Sequence, residues 1–334
     1  MRVFIEKVVV GALKYSNKDY RLKENRLEGF IFWCEWSLKH KDCDSALWLL
    51  NYLFDRFEHN IEQKYWISWL YGTTYHLPTA WVIWNEFPDF ELVDYKRLKI
   101  WNDENYHRLR YQTDTKWNKG HLPEQFLSYK KWINHENIEG TQKNRFAKLI
   151  QKDSFEFVWR SITNNLHKFG RYSTWYYMQT LNQCVGLKLN PNNLKLDDYA
   201  GSRSHRNGLC FALGHDDWID KKLHHTCIDY LENEALNIKQ KISHEINFYE
   251  LETLLCSYKK IYRKSNGRYL GYYLDRQAEE ISKVEKDGWS GVDWQVFWDA
   301  REENLTRKQH MSKKIRKNLY DHFLTTGRME YQTV

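Results

Sequence analysis

The chain has 334 residues, 42% hydrophobic and 28% charged, enough for a sizeable core and about one to three domains of ordinary globular character. A net charge of +7 with a pI near 8.8 favours polyanionic partners but falls well short of a histone-like tail. Six scattered cysteines without a C-x-x-C pair exclude a zinc ribbon. The opening MRVFIEKVVVGAL, broken by Glu6 and Lys7, excludes a signal peptide, and no apolar run approaches the ~18 residues of a membrane span. A soluble protein with free thiols in a reducing cytoplasm is the expectation. Aromatic content is unusual: Trp 16, Tyr 23 and Phe 16 make up 16% of the chain, so rings beyond the needs of a core are available for stacking.

Helical periodicity dominates. Leu27, Phe30, Ile31, Cys34 and Leu38 recur on one helical face, and Ala46, Leu50, Leu53, Phe54 and Phe57 repeat the pattern with Asp44 as N-cap. A third helix is expected over Ile61 to Tyr71. Pro78 suits the first turn of a fourth, which stops near Phe87-Pro88. From Pro88 to about Lys130 periodicity fades while charge and rings accumulate, which reads as a long functional loop. Helical pattern resumes over Gln142 to Leu166. Ser173 then reads as the N-cap of a helix carrying Tyr177, Leu181, Cys184 and Val185 on one face and closed by Gly186. After an irregular stretch, Asn190 to Gly214, helices are expected at about 217–236, 243–263 and 272–286; Leu274, Ala278 and Ile281 form the last stripe, with Gly288 as the stop. Strand signals are weak and no repeat appears. The fold class is mainly α.

Five stretches have the residue types for chemistry. In WISWLYGTTYHLPTAWVIWNEFP (66–88) most rings suit a packed helix pair, but Tyr71, Thr74, Tyr75 and His76 place polar tips at a helix junction. RLRYQTDTKWNKG (108–120) sets Arg108, Arg110, Lys116 and Lys119 around Asp114, with Tyr111 and Trp117 between them, and has no aliphatic residue after Leu109. Guanidinium forks, ammonium point charges and ring faces suit a flat anionic substrate. Flanking cations favour ionised Asp114, which could accept a proton, bind a metal through one oxygen, or simply hold Lys116 or an arginine. FGRYSTWYY (169–177) puts Arg171 and Ser173 at an expected helix N-terminus, where free amides attract anions. DDYAGSRSHRNG (197–208) flanks small residues with Arg203 and Arg206 but matches neither a P-loop nor G-x-G-x-x-G. GYYLDRQAEEI (271–281) places Asp275 and Glu279 on one helix face and Arg276 and Glu280 on the next. No G-x-S-x-G, H-E-x-x-H or H-x-E…P-C-x-x-C signature occurs, and His224-His225 reads as surface.

In their shared order, WLYGTTYHLPTAWVIWNEFPDF (69–90), RLRYQTDTKWNKGHLP (108–123), FGRYSTWYY, the loop with Gly201-Ser202-Arg203, GYYLDRQAEEI and W-x-x-F-W-D-A-R-E-E-N-L (294–305) resemble the α-glutamyl/putrescinyl thymine pyrophosphorylases, phage enzymes also described as amino acid:DNA transferases. The resemblance implies a helical fold like that of helix-hairpin-helix DNA glycosylases, although no L-P-G-x-G hairpin occurs. One catalytic unit spanning 1–334 is then expected, with helical lobes at about 1–135 and 136–334 around a central cleft.

The reaction it implies replaces the pyrophosphate of 5-pyrophosphoryloxymethyluracil in double-stranded phage DNA with the amine of an amino acid or polyamine. A separate kinase would have activated the hydroxymethyl base, and the transferase would act in the host cytoplasm after flipping the base. For that reaction Asp114, Lys116 and, as second candidate base, Asp275 are the expected catalytic residues. Arg108, Arg110, Lys119, Arg171, Ser173, Ser202, Arg203 and Arg276 are expected to bind pyrophosphate or the amino acid. Tyr71, Thr74, Tyr75, Tyr111, Trp117 and Trp175 are expected to pocket or stack on the base. Lys259, Lys260, Arg263, Lys264 and Arg268 would track DNA phosphates. No residue pattern demands a metal; Mg²⁺ is allowed through the substrate phosphates. The rival readings of the residues are a non-catalytic nucleic-acid-binding module and a glycosylase-like base hydrolase.

Overall fold

The apolar stripes expected near the N-terminus form α1 (Arg26–Lys39), α2 (Ser45–Arg56), α3 (Ile61–Thr74) and α4 (Leu77–Glu86). The structure, a computed structural model, describes residues 9–10, 13–14, 18–134, 141–151, 155–197, 203–262, 269–304 and 313–329. Before α1 a two-residue antiparallel ladder pairs β1 (Val9–Val10) with β2 (Leu13–Lys14). Everything else regular among the described residues is helical, so the chain is mainly α.

The expected long loop after Pro88 contains α5 (Tyr95–Asn105) and the start of α6 (Leu122–Ile133). Helix α5 buries only Leu98 and Asn102 and so has no apolar stripe to read; its start is fixed by Asp94, which accepts from the Arg97 amide at 2.8 Å. The 142–166 stretch is divided into α7 (Gln142–Ile150) and α8 (Phe155–Asn165). Helix α9 (Arg171–Val185) starts two residues before Ser173, with Gly170 as its N-cap, and Gly186 closes it in the left-handed conformation. The irregular 190–214 stretch contains α10 (Ser204–Ala212). Then follow α11 (His225–Lys241), α12 (Phe248–Tyr258), α13 (Tyr272–Lys286), α14 (Gln295–Asn304) and α15 (Lys313–Thr326).

Helices α3 and α9 form the centre. They approach closely because position 72 is glycine: a Cβ there would lie 2.7 Å from Cβ of Tyr177. Around them Trp66 stacks on Trp69 and Trp69 on Tyr129, with centroids 5.1 and 4.8 Å apart, while the Tyr129 and Tyr177 hydroxyls meet at 3.0 Å. Each ring pair of this kind adds about 0.5–1.5 kcal/mol beyond area burial. Gly208 similarly lets α10 lie against the backbone of Leu255 in α12. The connection between α1 and α2 is tied to α13, because the buried Asp42 carboxylate accepts from the Gly271 and Leu274 amides at 3.2 and 2.9 Å. These ties bring α2, α3, α9, α10, α12 and α13 to one place.

Candidate active site

That place is a cleft of about 110 Å³. Tyrosines from three helices wall it: Tyr71 and Tyr75 from the end of α3, Tyr172 and Tyr176 from α9, and Tyr273 from α13. Tyr75 is the hub, with ring centroids 4.1 Å from Tyr176 and 5.3 Å from Tyr172. Burial pushes the hydroxyls of Tyr71, Tyr75, Tyr172 and Tyr176 well above their usual pKa, so they stay neutral at working pH. Cys256 completes the uncharged lining, and Lys260 and Arg276 bring two cations.

Three non-glycine residues of the lining have left-handed backbone: Asp44 (φ 50°), Tyr75 (φ 47°) and Thr113 (φ 50°). An aromatic or β-branched residue there is strained, and such strain concentrates at functional sites. The surroundings hold it in place. The carbonyl of Thr74 accepts from the Gln112 amide at 3.1 Å and the Thr115 hydroxyl at 2.8 Å, which folds the 112–115 turn onto the end of α3.

Asp44 stands at the N-cap position of α2 but does not cap it. Its carboxylate instead accepts from Gln179 Nε2 at 2.6 Å and Thr253 Oγ1 at 3.0 Å. Burial pushes the carboxyl up to about 7, against these two hydrogen bonds, with repulsion from Glu250 and Glu252 adding to the rise. The first turn of α2 is therefore left without its usual acceptor, and Ser45 and Ala46 from that turn line the cleft. Ser45 Oγ is buried and makes no hydrogen bond. Ser204, the first residue of α10, lines the same space. Two helix N-termini, Lys260 and Arg276 thus make one side of the cleft attractive to an anion.

The residues expected from sequence are divided between this cleft and other places. Tyr71, Tyr75, Asp114 and Arg276 line it, and so does Lys260 from the basic run. Thr74 does not; its hydroxyl donates to Leu70 O at 2.9 Å inside α3. His76 is also buried: its Nδ1 accepts from the Thr79 amide at 3.2 Å, leaving the Nε2 proton for Glu280 at 3.3 Å, so it ties α4 to α13.

The 108–120 stretch is divided in three. Arg110 grips both oxygens of Asp287 at 2.9 to 3.1 Å, and Arg108 lies 4.0 Å over Trp289 while donating to Asp287 O at 2.6 Å. Both guanidiniums are anchors to the turn after α13, directed away from the cleft. Lys119 likewise donates to His107 O at 3.0 Å. Gln112, Thr113 and Asp114 form the cleft wall. Lys116 and Trp117 face solvent, Trp117 with 82% of its surface exposed; neither lines the cleft.

Five further residues expected at the site are buried outside the cleft. Arg171 is core: it pairs with Glu252 at 3.3 Å and donates to Leu194 O and His205 Nε2 at 3.0 and 2.8 Å. Trp175 packs on Tyr249 with centroids 5.0 Å apart, and Tyr111 and Ser173 are buried away from the cleft. Asp275 is fully buried 3.5 Å from Arg316. A helix turns about 100° per residue, which sends Arg276 to the cleft and Asp275 to the core. Arg203 sits at the N-cap position of α10 beside Ser204. Ser202, Arg263, Lys264 and Arg268 lie outside the described residues.

Asp44, Thr113, Tyr172, Tyr176, Ser204, Tyr273 and Gln277 are lining residues that motif reading passed over. One signal was available. Tyr71/Tyr75 and Tyr172/Tyr176 are both spaced four apart, which puts paired phenols on one face of each helix.

Residues 26–267 match the amino acid:DNA transferase family. The chain belongs to that family, and is an enzyme that transfers an amino acid to DNA. It is similar to a curated serinyltransferase of Salmonella phage ViI, 29% identical over 312 residues that cover 85% of this chain and 74% of the relative. No solved structure matches. The family match includes the cleft residues of α2, α3, α9, α10 and α12 and ends before Tyr273, Arg276 and Gln277 of α13. No helix among the described residues is long and apolar enough to cross a membrane.

Proposed function

We propose that this transferase displaces pyrophosphate from 5-pyrophosphoryloxymethyluracil in DNA with the amine of an amino acid, serine first among the candidates. One observation carries the reading: a single cleft combines a near-neutral carboxylate, a set of phenols and an anion-attracting wall. Serine comes first because the phage ViI relative is named a serinyltransferase.

In this reading the flipped uracil enters among Tyr71, Tyr75, Tyr172 and Tyr176, and its pyrophosphoryl group meets the α2 and α10 N-termini with Lys260 and Arg276. Asp44 takes a proton from the substrate ammonium. The freed nitrogen lone pair bonds to the exocyclic carbon, the C–O bond breaks, and its electron pair leaves with pyrophosphate. The new secondary ammonium releases its proton to solvent. A carboxyl of pKa about 7 suits this task, because a general base works best with its pKa near the operating pH. Cations and helix N-termini stabilise charge that develops on the leaving oxygens.

Asp114, on the wall that faces solvent, is placed to orient the incoming amine or a Mg²⁺ ion arriving with the phosphates. Among the described residues no three His, Cys, Asp or Glu side chains gather as a metal site. Exposed Lys116 and Trp117 are suited to meet DNA beside the extruded base. Cleft walls drawn from both halves of the chain support one catalytic unit, and extrusion of the base is consistent with the glycosylase-like architecture the family resemblance implies.

The test uses DNA carrying the pyrophosphorylated base, with serine, other amino acids or putrescine, with and without Mg²⁺. Expected are pyrophosphate release and a nucleoside heavier by the serine adduct in mass spectrometry. Abasic sites would replace the reading with a glycosylase, and DNA binding without either product would leave a binding module.

A further inference from the structure

Behind Asp44 lies a second and larger cavity, of about 710 Å³. Asp44 is the residue that lines both spaces. The larger one falls inside the range of roughly 300–1,000 Å³ usual for small-molecule sites. Its floor is apolar, from Leu47 and Phe248, and its rim carries groups of both charges. Lys239, at the end of α11, is half-buried there with the side-chain amides of Asn51 and Gln183. Glu245 and Glu250 stand with Asp44 as carboxylates.

The carboxylates are not equivalent. Glu250 is occupied with its own helix, since Oε2 accepts from the Asn247 amide at 2.9 Å to complete a capping box. Glu245 is exposed. Asp44 is held from behind by Gln179, and Gln179 Nε2 also reaches Gln183 Oε1 at 3.4 Å, so one buried amide links the Asp44 carboxylate to the cavity wall. The other end of that amide, Gln179 Oε1, is buried without a hydrogen bond.

We propose that this cavity is the amino acid subsite, with the co-substrate carboxylate held by Lys239 and the Asn51 and Gln183 amides, and its ammonium directed to Asp44. The assignment rests on the transfer reaction proposed above and extends it. It separates the two substrates: DNA reaches Asp44 from the tyrosine side and the amino acid from the other, so the amine approaches the carbon opposite the departing pyrophosphate. It also gives a basis for choosing between amines. A zwitterion matches a rim with both a lysine and carboxylates, while a diamine carries a second ammonium that Lys239 repels.

Steady-state transfer by the full chain tests this, with serine and putrescine as alternative amines, for the wild type and for Lys239→Glu, Asn51→Leu and Asn190→Trp. Asn190 is exposed at the cavity mouth, so the tryptophan narrows the entrance without entering the core. The expected result is a KM for serine raised at least about tenfold in Lys239→Glu and Asn190→Trp, with KM for DNA within about twofold, the pattern of lost co-substrate binding. Lys239→Glu should also shift the serine-to-putrescine preference by about tenfold or more toward putrescine, which a merely structural role would not do. Unchanged serine KM in all three variants, in the presence of wild-type transfer, overturns the subsite and leaves the transferase reading intact. Failure of the wild type to transfer any amine overturns the reading on which the subsite rests.

Discussion

Two segments of this chain contrast sharply. Residues 108–120 set four cations and two rings around a single carboxylate, whereas 40–44, His-Lys-Asp-Cys-Asp, is a five-residue connection between two helices. In the folded protein the first is largely scaffold: Arg108, Arg110 and Lys119 bind carbonyls and a carboxylate elsewhere, and the wall it contributes is Gln112 to Asp114. The second places Asp42 on the N-terminus of α13 and Asp44, in left-handed backbone, on the lining of two cavities. Charge density in a sequence therefore marks where ionic contacts form, while a carboxylate that lines the cleft can come from a short segment held by its neighbours.

The sharpest way to break this comparison is to neutralise one carboxylate in each segment. Asp44→Asn should lower kcat by about 10²- to 10⁴-fold, the usual contribution of a general base, with circular dichroism unchanged. Asp114→Asn should cost about tenfold or less. The reverse order in single-turnover rates would return the chemistry to the loop.

Next in size is Arg276→Ala, for which loss of one charge-stabilising donor predicts about a 10²- to 10³-fold fall in kcat. Arg110→Ala, in the anchoring part of the loop, should leave kcat within about threefold and act on melting temperature instead, since its bidentate partner Asp287 is partly solvated. A larger kcat loss for Arg110→Ala than for Arg276→Ala would show that the loop cations reach the substrate.

The pH dependence has opposite signs for activity and stability. Activity limited by ionised Asp44 should rise through pH about 7, and Asp44→Asn should flatten that limb of the kcat/KM profile. The folded-state pKa is raised above the unfolded one, so the folded protein holds the extra proton between pH about 4 and about 7, and stability is lost as pH rises through that window. The melting temperature of Asp44→Asn relative to wild type should therefore be higher at pH 8 than at pH 4. An unchanged difference between the two values would place the Asp44 carboxyl in its ordinary range.

The smallest effect concerns the exposed ring. Trp117→Ala should weaken binding to DNA that contains a flippable base by about 1–3 kcal/mol, the range for a base–aromatic stack, and leave the KM for amino acid unchanged.

The sequence alone determined the helical class, the first four helices, the 272–286 helix and the family, because apolar stripes and the order of aromatic-basic segments are local properties of the chain. It also singled out Tyr71, Tyr75, Asp114 and Arg276, which all line the cleft. Helix α5 was hidden because a helix that buries only two residues leaves no stripe, and Ser173 passed for a cap because a serine two residues inside a helix resembles one at its edge. What tertiary structure decided was direction. Asp275 and Arg276 are neighbours that one step of helix rotation sends to the core and to the cleft. Arg171 is as charged as Arg276, yet it is sealed against Glu252. Asp44 looks in sequence like an ordinary helix cap, and its carboxylate turns away from the helix because Gln179 and Thr253, 135 and 209 residues further along the chain, are there to hold it.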